Sequence, residues 1–561
     1  MVGAAAVPVR GALGRTRMRR NPRPLAAATL GTLLLAAHAV ARPTVEDNLA
    51  ELYGAAALDP TDVSTRLRLA GYLQSLGLAE EGAAILRELA ASGADIDLLV
   101  DADSVDGCAD CRGGALGGDL IVGDINGISN WGKFEASPGV WMYAFSAGTT
   151  NCNIGTERLE WFHQVNRHPV LGQNFYRIQD NVLRQIGQSW LKHLFFALSQ
   201  QLCAPGCDSQ NGTYLGVNCS DPYTSGRAGQ QSNLGPRFQV RPSSGYFPYP
   251  PAGGTGVQNL LSRRLQVHLS DLNPAFWPSS IYFVVTKGVQ WQDSQAENDN
   301  NNESWRRFVI SYNNGGTPED PSDDLVSNPT FSGSTQRMKT PVDAWQFYVP
   351  TVETVDAIVP NDSNFMLDGS LSSTYYSGRF HIGSYVEDNG DGTWTYSYAI
   401  FNQNSDRAAQ SFRVPVLASV AVTDAGFSDV DYHSGDGVGG VTQDGTDWSF
   451  ARDDHAVTWS TQAFDENPNA NALRWATTYT FWFTADAPPD TVHATLGLFR
   501  PGIDPDPVVA SQGPACLLAW DLDDDGYVGF ADLNIVLSGF GAGYDFADLN
   551  SLLAVFGQQC E

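Results

Sequence analysis

Read on its own, the sequence predicts a multidomain α+β protein, and three observations point there. Helix-like apolar spacing is confined to residues 45–91, to the stretch 157–202 and to the tail beyond residue 530. Period-two alternation between turn signals dominates residues 350–500. All eight cysteines lie beyond residue 107, two of them near the C-terminus, among segments rich in Gly and Pro. The expected division is a secretory signal over 1–41, a helical cap over 42–95 and a disulfide-stapled mixed helical/β core over 96–350. A β-sandwich-like domain over 351–508 and a small helical calcium-binding module over 509–561 complete it. With 561 residues the chain is long enough for several hydrophobic cores.

The first 41 residues hold six arginines and no acid, then an apolar run from Leu25 to Val40 that closes on Ala39-Val40-Ala41. Basic, apolar and small-residue regions in that order are a secretory signal, with cleavage expected after Ala41. A membrane anchor is the alternative, but the run is short and alanine-rich for a span. Removing six positive charges takes the formal charge from −29 to −35. A surface so acidic repels phosphate and excludes nucleic acid as a partner. No second long apolar stretch follows, so the mature protein is expected outside the cell, secreted or attached to its surface. In that compartment Cys108, Cys111, Cys152, Cys203, Cys207, Cys219, Cys516 and Cys560 read first as disulfides. A local set within 108–219 and a Cys516–Cys560 clasp are expected. Cys108-Ala109-Asp110-Cys111 also has the spacing of a redox pair, without the strand-to-helix setting.

Residues 45–91 carry three apolar stripes, separated at Asp59-Pro60 and Gly77. The pattern Leu69-Ala70, Leu73, Gly77, Leu86 resembles a tetratricopeptide repeat, of which the segment would hold little more than one unit. From residue 96, strands are expected at Asp119–Asp124 and Gly139–Phe145. Helices are expected at Glu157–Val165 and over Phe175–Leu202, with Ile178, Val182, Ile186, Trp190, Leu191, Leu194 and Leu198 buried. Residues 204–258 read as an ordered irregular layer, Arg264–Leu269 and Ser280–Thr286 as strands, and Ala296–Glu303 and Thr317–Asp324 as solvent-facing loops.

In the β domain, Arg379–Val386 and Trp394–Asn402 flank Glu387-Asp-Asn-Gly-Asp-Gly392, a hairpin turn rather than a calcium loop because the position-12 carboxylate is missing. Arg413–Val420, Arg474–Phe483 and Thr491–Phe499 supply further strands, with Trp475, Tyr479, Phe481 and Phe483 alternating as a core face does. Pro501–Pro507 reads as the start of a linker.

The tail holds the most specific pattern. Asp521, Asp523, Asp525 and Asp532 stand at positions 1, 3, 5 and 12 of a loop with Gly526 at position 6 and the Tyr527 carbonyl at position 7. This is the oxygen array of an EF-hand-type calcium site, with Asp in place of the usual Glu at position 12. Phe530-Ala-Asp-Leu-Asn returns as Phe546-Ala-Asp-Leu-Asn, so the module repeats. Together these features resemble a dockerin. The resemblance implies calcium ligation by Asp521, Asp523, Asp525 and Asp532 and docking on a cohesin-like or other cell-surface protein. Dockerins have two such loops, whereas the second here is shortened to Gly541-Ala-Gly-Tyr-Asp545. The middle of the chain, with Cys219-Ser-Asp-Pro-Tyr and Asn-Ser-Asp-Arg407, resembles secreted proteins of uncharacterised role from planctomycete-like bacteria.

Function is less legible. Two further sites are candidates. His163, His168 and His193 offer a transition-metal or catalytic centre, against the plainer reading of histidines hydrogen-bonded at element edges. Tyr375, Tyr376, Tyr385, Trp394, Tyr396, Trp448 and Trp459 offer stacking surfaces for a polysaccharide, against a role in the core. No His-Glu-x-x-His, Gly-x-Ser-x-Gly, phosphate-loop or dinucleotide pattern occurs. The preferred expectation is a secreted or surface-associated binding or structural protein, with an extracellular metal-assisted enzyme as the rival.

Overall fold

The computed structural model describes residues 116–162, 165–210, 212–231, 234–247, 249–250, 261, 263–360, 377–433, 441–502, 505–515, 520–522 and 527–558. The expected leader, the tetratricopeptide-like segment, Cys108, Cys111, Cys516 and Cys560 lie outside them. The described residues form a mixed architecture of several sheets, two disulfides and two small C-terminal helices.

The first domain is built on β1 (Leu120–Ser137), β2 (Val140–Asn153), β3 (Val170–Gln179), β4 (Val182–Gln188), β5 (Leu265–His268), β6 (Ile281–Val289) and β7 (Glu303–Val309). They belong to one 11-stranded sheet in the order β1-β2-β5-β4-β3-β6-β7, continued by Thr330–Phe331. Register shifts along the β1–β2 pair mark bulges, which increase local twist. The sheet curls until β1 comes alongside β7. Side chains bridge that seam: Ser304 Oγ donates to Val122 O at 2.6 Å, Arg306 Nη1 to Ile125 O at 2.8 Å and Arg337 Nε to Gly123 O at 2.6 Å. An edge that would otherwise offer unpaired carbonyls is thus covered, and the sheet is nearly a barrel.

This corrects the helices expected at Glu157–Val165 and Phe175–Leu202. Leu159–Glu160 pairs with Tyr214–Leu215, and the longer stretch holds the β3–β4 hairpin. Its turn is Asp180-Asn181, with φ of 49° and 59°. Two successive left-handed residues make the two-residue turn whose twist matches a hairpin, and Asp and Asn tolerate that conformation. Every residue of β3 is buried, so neither face meets solvent and the inward–outward alternation that marks a strand is absent. The polar loops also depart from expectation: 317–323 is exposed or partly so, whereas Asp299, Asn302, Glu303 and Asp324 are buried.

Both disulfides fall in the expected local set. Cys152 on β2 joins Cys203, and Cys207 joins Cys219. The first pins the irregular 196–219 layer onto the barrel wall rather than onto helices, and the second cross-links that layer internally.

A helix, α1 (Pro341–Tyr348), leads into the second domain. Thr340 caps it, Pro341 occupies its first turn and Asp343 returns a bond to the Thr340 N–H at 2.7 Å. The sandwich then comprises β8 (Glu353–Pro360), β9 (Ser377–Asp388), β10 (Trp394–Asn402), β11 (Ala409–Pro415), β12 (Val422–Ser428), β13 (Ser449–Arg452), β14 (Ala456–Ser460), β15 (Thr477–Ala485), β16 (Pro489–Leu498) and β17 (Val508–Pro514). Two five-stranded sheets, β8-β9-β10-β15-β12 and β13-β14-β11-β16-β17, enclose one core that includes Phe380, Ile400, Phe412, Trp459, Phe481 and Leu496. The β9–β10 hairpin forms as expected, and β17 continues the sandwich beyond Pro501–Pro507.

Barrel and sandwich meet over a buried interface. Trp345 of α1 packs among Tyr176, Phe283, Trp305, Tyr385 and Ala399. Tyr176 Oη lies 2.9 Å from Thr478 Oγ1, and Thr480 Oγ1 donates to Leu183 O at 2.6 Å. The tail helices are α2 (Phe530–Ser538) and α3 (Phe546–Val555), packed around Val528, Val536 and Leu552. No helix among the described residues is long and apolar enough to cross a membrane.

Candidate functional site

Asp521, Tyr527 and Asp532 of the expected calcium loop are described; Asp523 and Asp525 lie outside the described residues. Asp532 is fully buried in the first turn of α2. Its Oδ1 accepts the Leu522 N–H at 2.6 Å and its Oδ2 the Gly529 N–H at 2.7 Å. The carboxylate therefore ties the second residue of the loop to the helix N-terminus. Its repeat partner, Asp548, does half of this work. Asp548 Oδ2 accepts the Asp545 N–H at 2.8 Å, while Asp545 Oδ1 accepts the Ala547 and Asp548 N–H groups at 2.7 and 3.1 Å. That is a capping box, and it occupies the place where a second ion-binding loop would end.

The ends of the module meet: Val528 donates to Gln558 O and Gly557 donates to Val528 O, each at 2.8 Å. Among the described residues no group of three or more His, Cys, Asp or Glu side chains is arranged to hold a metal ion.

His168 and His193, 25 residues apart, are brought together; His163 lies outside the described residues. His168 is buried, its Nε2 faces His193 Nδ1, and the ring centres are 4.2 Å apart. Nearby, the Asp221 carboxylate accepts the Phe196 N–H, and burial raises its pKa to about 6.

The described candidates for sugar stacking lie in the sandwich core or the buried interface, or pack against that core. Tyr385, Tyr396, Trp448 and Trp459 are buried, and Trp394 packs against the sandwich core; Tyr375 and Tyr376 lie outside the described residues.

A cleft of about 350 Å³, not visible in the sequence, lies where β3, β4 and β5 of the barrel meet β12 and β15 of the sandwich. Arg177 stacks 3.6 Å over the Trp277 ring and bonds Asp271 Oδ1 at 2.8 Å. Arg184 lies 5.0 Å from the Trp482 ring and 6.0 Å from that of Trp277. Trp482 is the outward residue between inward-facing Phe481 and Phe483, and it packs on Gly426, where an added Cβ would come within 2.2 Å of the indole. His268 bonds Asp431 across the cleft, and that hydrogen bond holds the imidazole pKa above its ordinary value. Burial pushes Asp429 up to about 6, against the hydrogen bond from Asn471. A second chamber of about 330 Å³ adjoins the cleft and shares Met142, Gln266, His268 and Asp431 with its lining.

The sequence signals for this site were weak ones: a tryptophan on the polar side of a core strand, and another in the Pro274-Ala-Phe-Trp277-Pro loop. Neither a protein-family model nor a curated protein matches the chain.

Proposed function

We propose that the protein is a secreted, surface-associated binding protein held in place by its C-terminal module. The observation that carries this reading is the face of the two-helix tail. Phe530, Leu537, Phe540, Phe546 and Leu553 are exposed there, on a module whose own core is three residues deep. An apolar patch on so small a unit is the signature of a docking surface. Phe540 and Phe546 stand edge to face at 5.3 Å, beside a surface hollow that also includes Tyr544 and Ala547. Calcium, liganded by Asp521, Asp523, Asp525, the Tyr527 carbonyl and Asp532, would order the loop that begins α2 and so present this face; a cohesin-like surface protein is the partner the dockerin resemblance implies.

The test is binding of the full chain to a panel of immobilised cohesin domains with calcium present. Calcium-dependent binding lost in Phe530→Ser and Phe546→Ser is the expected result. Absence of binding across the panel, or binding indifferent to calcium, would reject the attachment reading.

The convergence of His168 and His193 supports a second reading, a transition-metal centre in the barrel wall. Elemental analysis should then find zinc, copper or iron in stoichiometric amount, lost in His168→Ala. A metal-free protein would leave the two rings as a partly buried hydrogen-bonded pair.

A further inference from the structure

We propose that the cleft between barrel and sandwich binds an acidic polysaccharide through its sugar carboxylates, with Arg184 and Arg263 as the groups that hold them. The chain has 62 acidic and 33 basic residues, so a basic cleft runs against its composition. Yet the acids that line the cleft are each muted: Asp271 is paired with Arg177, Asp431 with His268, and Asp429 is held towards its neutral form by burial. Two guanidiniums remain, one in each chamber. Arg184 and Arg263 make no ion pair among the described residues, and burial destabilises the charge on both.

Their placement adds to that electrostatic cost. Arg177 sits close enough to disfavour the charge on Arg184, and Lys192 is buried beside Arg263 and Arg264. Arg263 is held at φ 63°, a left-handed conformation that disfavours a side chain with a Cβ. Arg184 is eased by Asp271, Asp180 and the two tryptophan rings but has no ion pair of its own among the described residues. Desolvated like charges with strained backbone mark a site that a ligand completes. The ligand that relieves them is anionic, and guanidinium matches the planar, two-oxygen shape of a carboxylate.

The walls specify the rest of the ligand. The Trp277 and Trp482 rings line the first chamber and the Phe134 ring the second, with the buried Trp190 beneath it, and exposed ring faces of this kind stack on the C–H faces of pyranose rings. Each chamber lies near the lower end of the ~300–1,000 Å³ range of small-ligand pockets. Two of them in series, each with an aromatic wall and one unpaired cation, fit a chain with a repeating charge better than a single small anion. A uronate polymer has that repeat.

Calorimetric titration of the full chain with oligogalacturonate and oligomannuronate tests this, against cello-oligosaccharide and a sulfated oligosaccharide of similar length. Binding of a uronate oligomer, weakened by salt, is expected. Arg184→Gln, Arg263→Gln and Trp482→Ala should each weaken it at least tenfold, while Arg184→Lys, which keeps the charge, retains part of the affinity and controls for folding. The proposal is overturned if no uronate oligomer binds, if the neutral or the sulfated oligomer binds as well or better, or if folded arginine variants bind like the parent.

Discussion

At the scale of single residues, the barrel is unusual in the charges it buries. Lys287 Nζ lies 2.9 Å from Glu303 Oε2 with neither side chain exposed, and Lys287 also donates to Asp299 O at 2.6 Å. Each charge has lost its water, so removing one partner leaves the other uncompensated. Lys287→Met is therefore expected to lower stability by about 3–5 kcal/mol, read from the urea midpoint. Adding Glu303→Leu should recover much of that loss; a double variant as weak as the single would refute the pairing argument. A pH effect follows from the neighbouring acids. Burial raises Asp299 to about 7, and Asp406 and Asp429 to about 6. As pH rises, the unfolded chain gives up these protons first, so the contribution of these three acids to stability falls between about pH 4 and pH 7. His381 and His433, lowered by burial to about 4, contribute with the opposite sign below about pH 6.5, so the test isolates one acid. Relative to Asp299→Asn, the parent's urea midpoint should fall on going from pH 5 to pH 7.5. A difference between parent and variant that stays level or grows in the parent's favour would contradict the assignment.

Among the elements, the pinned 196–219 layer gives the clearest prediction. Cys152 and Cys203 enclose a separation of 51 residues, and closing a loop of that length removes about 4 kcal/mol of unfolded-state entropy in the chain-entropy account. Cys152→Ala with Cys203→Ala should lower stability by up to that amount. Gly123→Ala should act on the same place, because its Cβ would lie 2.4 Å from Cys203 Sγ and 2.5 Å from Cys152 Sγ. Thermal melts of both variants, with and without reductant, check this: reductant should destabilise the parent more than the double-alanine variant, which keeps only the Cys207–Cys219 bridge of the two described disulfides. This region also shows what the sequence could and could not convey. The sandwich strands were legible because β15 alternates Tyr479, Phe481 and Phe483 inward with polar or half-buried residues outward. The β9–β10 turn was legible because its glycines announce it. β3 was not, because it is buried on both faces and carries Gln173, Asn174, Arg177 and Gln179 in its interior. Those polar groups are satisfied by partners distant in the chain: Asn174 Nδ2 donates to Ala476 O at 2.8 Å, and Arg177 bonds Asp271. A local pattern cannot encode partners that arrive from 300 residues away. The cleft was hidden for the same reason, since Arg184, His268, Asp431 and Trp482 converge only once barrel and sandwich have packed.

For the whole molecule, the contrast in core size sets the order of unfolding. Barrel, α1 and sandwich share extensive buried clusters, whereas the tail rests on Val528, Val536 and Leu552. A unit that small needs a staple, and in this reading calcium supplies it. The internal repeat provides its own control. Asp532 and Asp548 occupy equivalent positions in Phe-Ala-Asp-Leu-Asn, and both accept the N–H of the residue preceding their helix. Replacing either by Ala removes that capping bond, a loss of about 1 kcal/mol. Only Asp532 also closes the 521–532 loop through the Leu522 N–H. Calorimetry of the full chain should therefore show a low-temperature transition for the tail, raised by calcium, ahead of a main transition that calcium leaves unchanged. Asp548→Ala should lower the first transition yet preserve its response to calcium; Asp532→Ala should abolish the response. Equal responses in the two variants would reduce Asp532 to a helix cap, and a parent tail indifferent to calcium would remove the ion from the attachment module altogether.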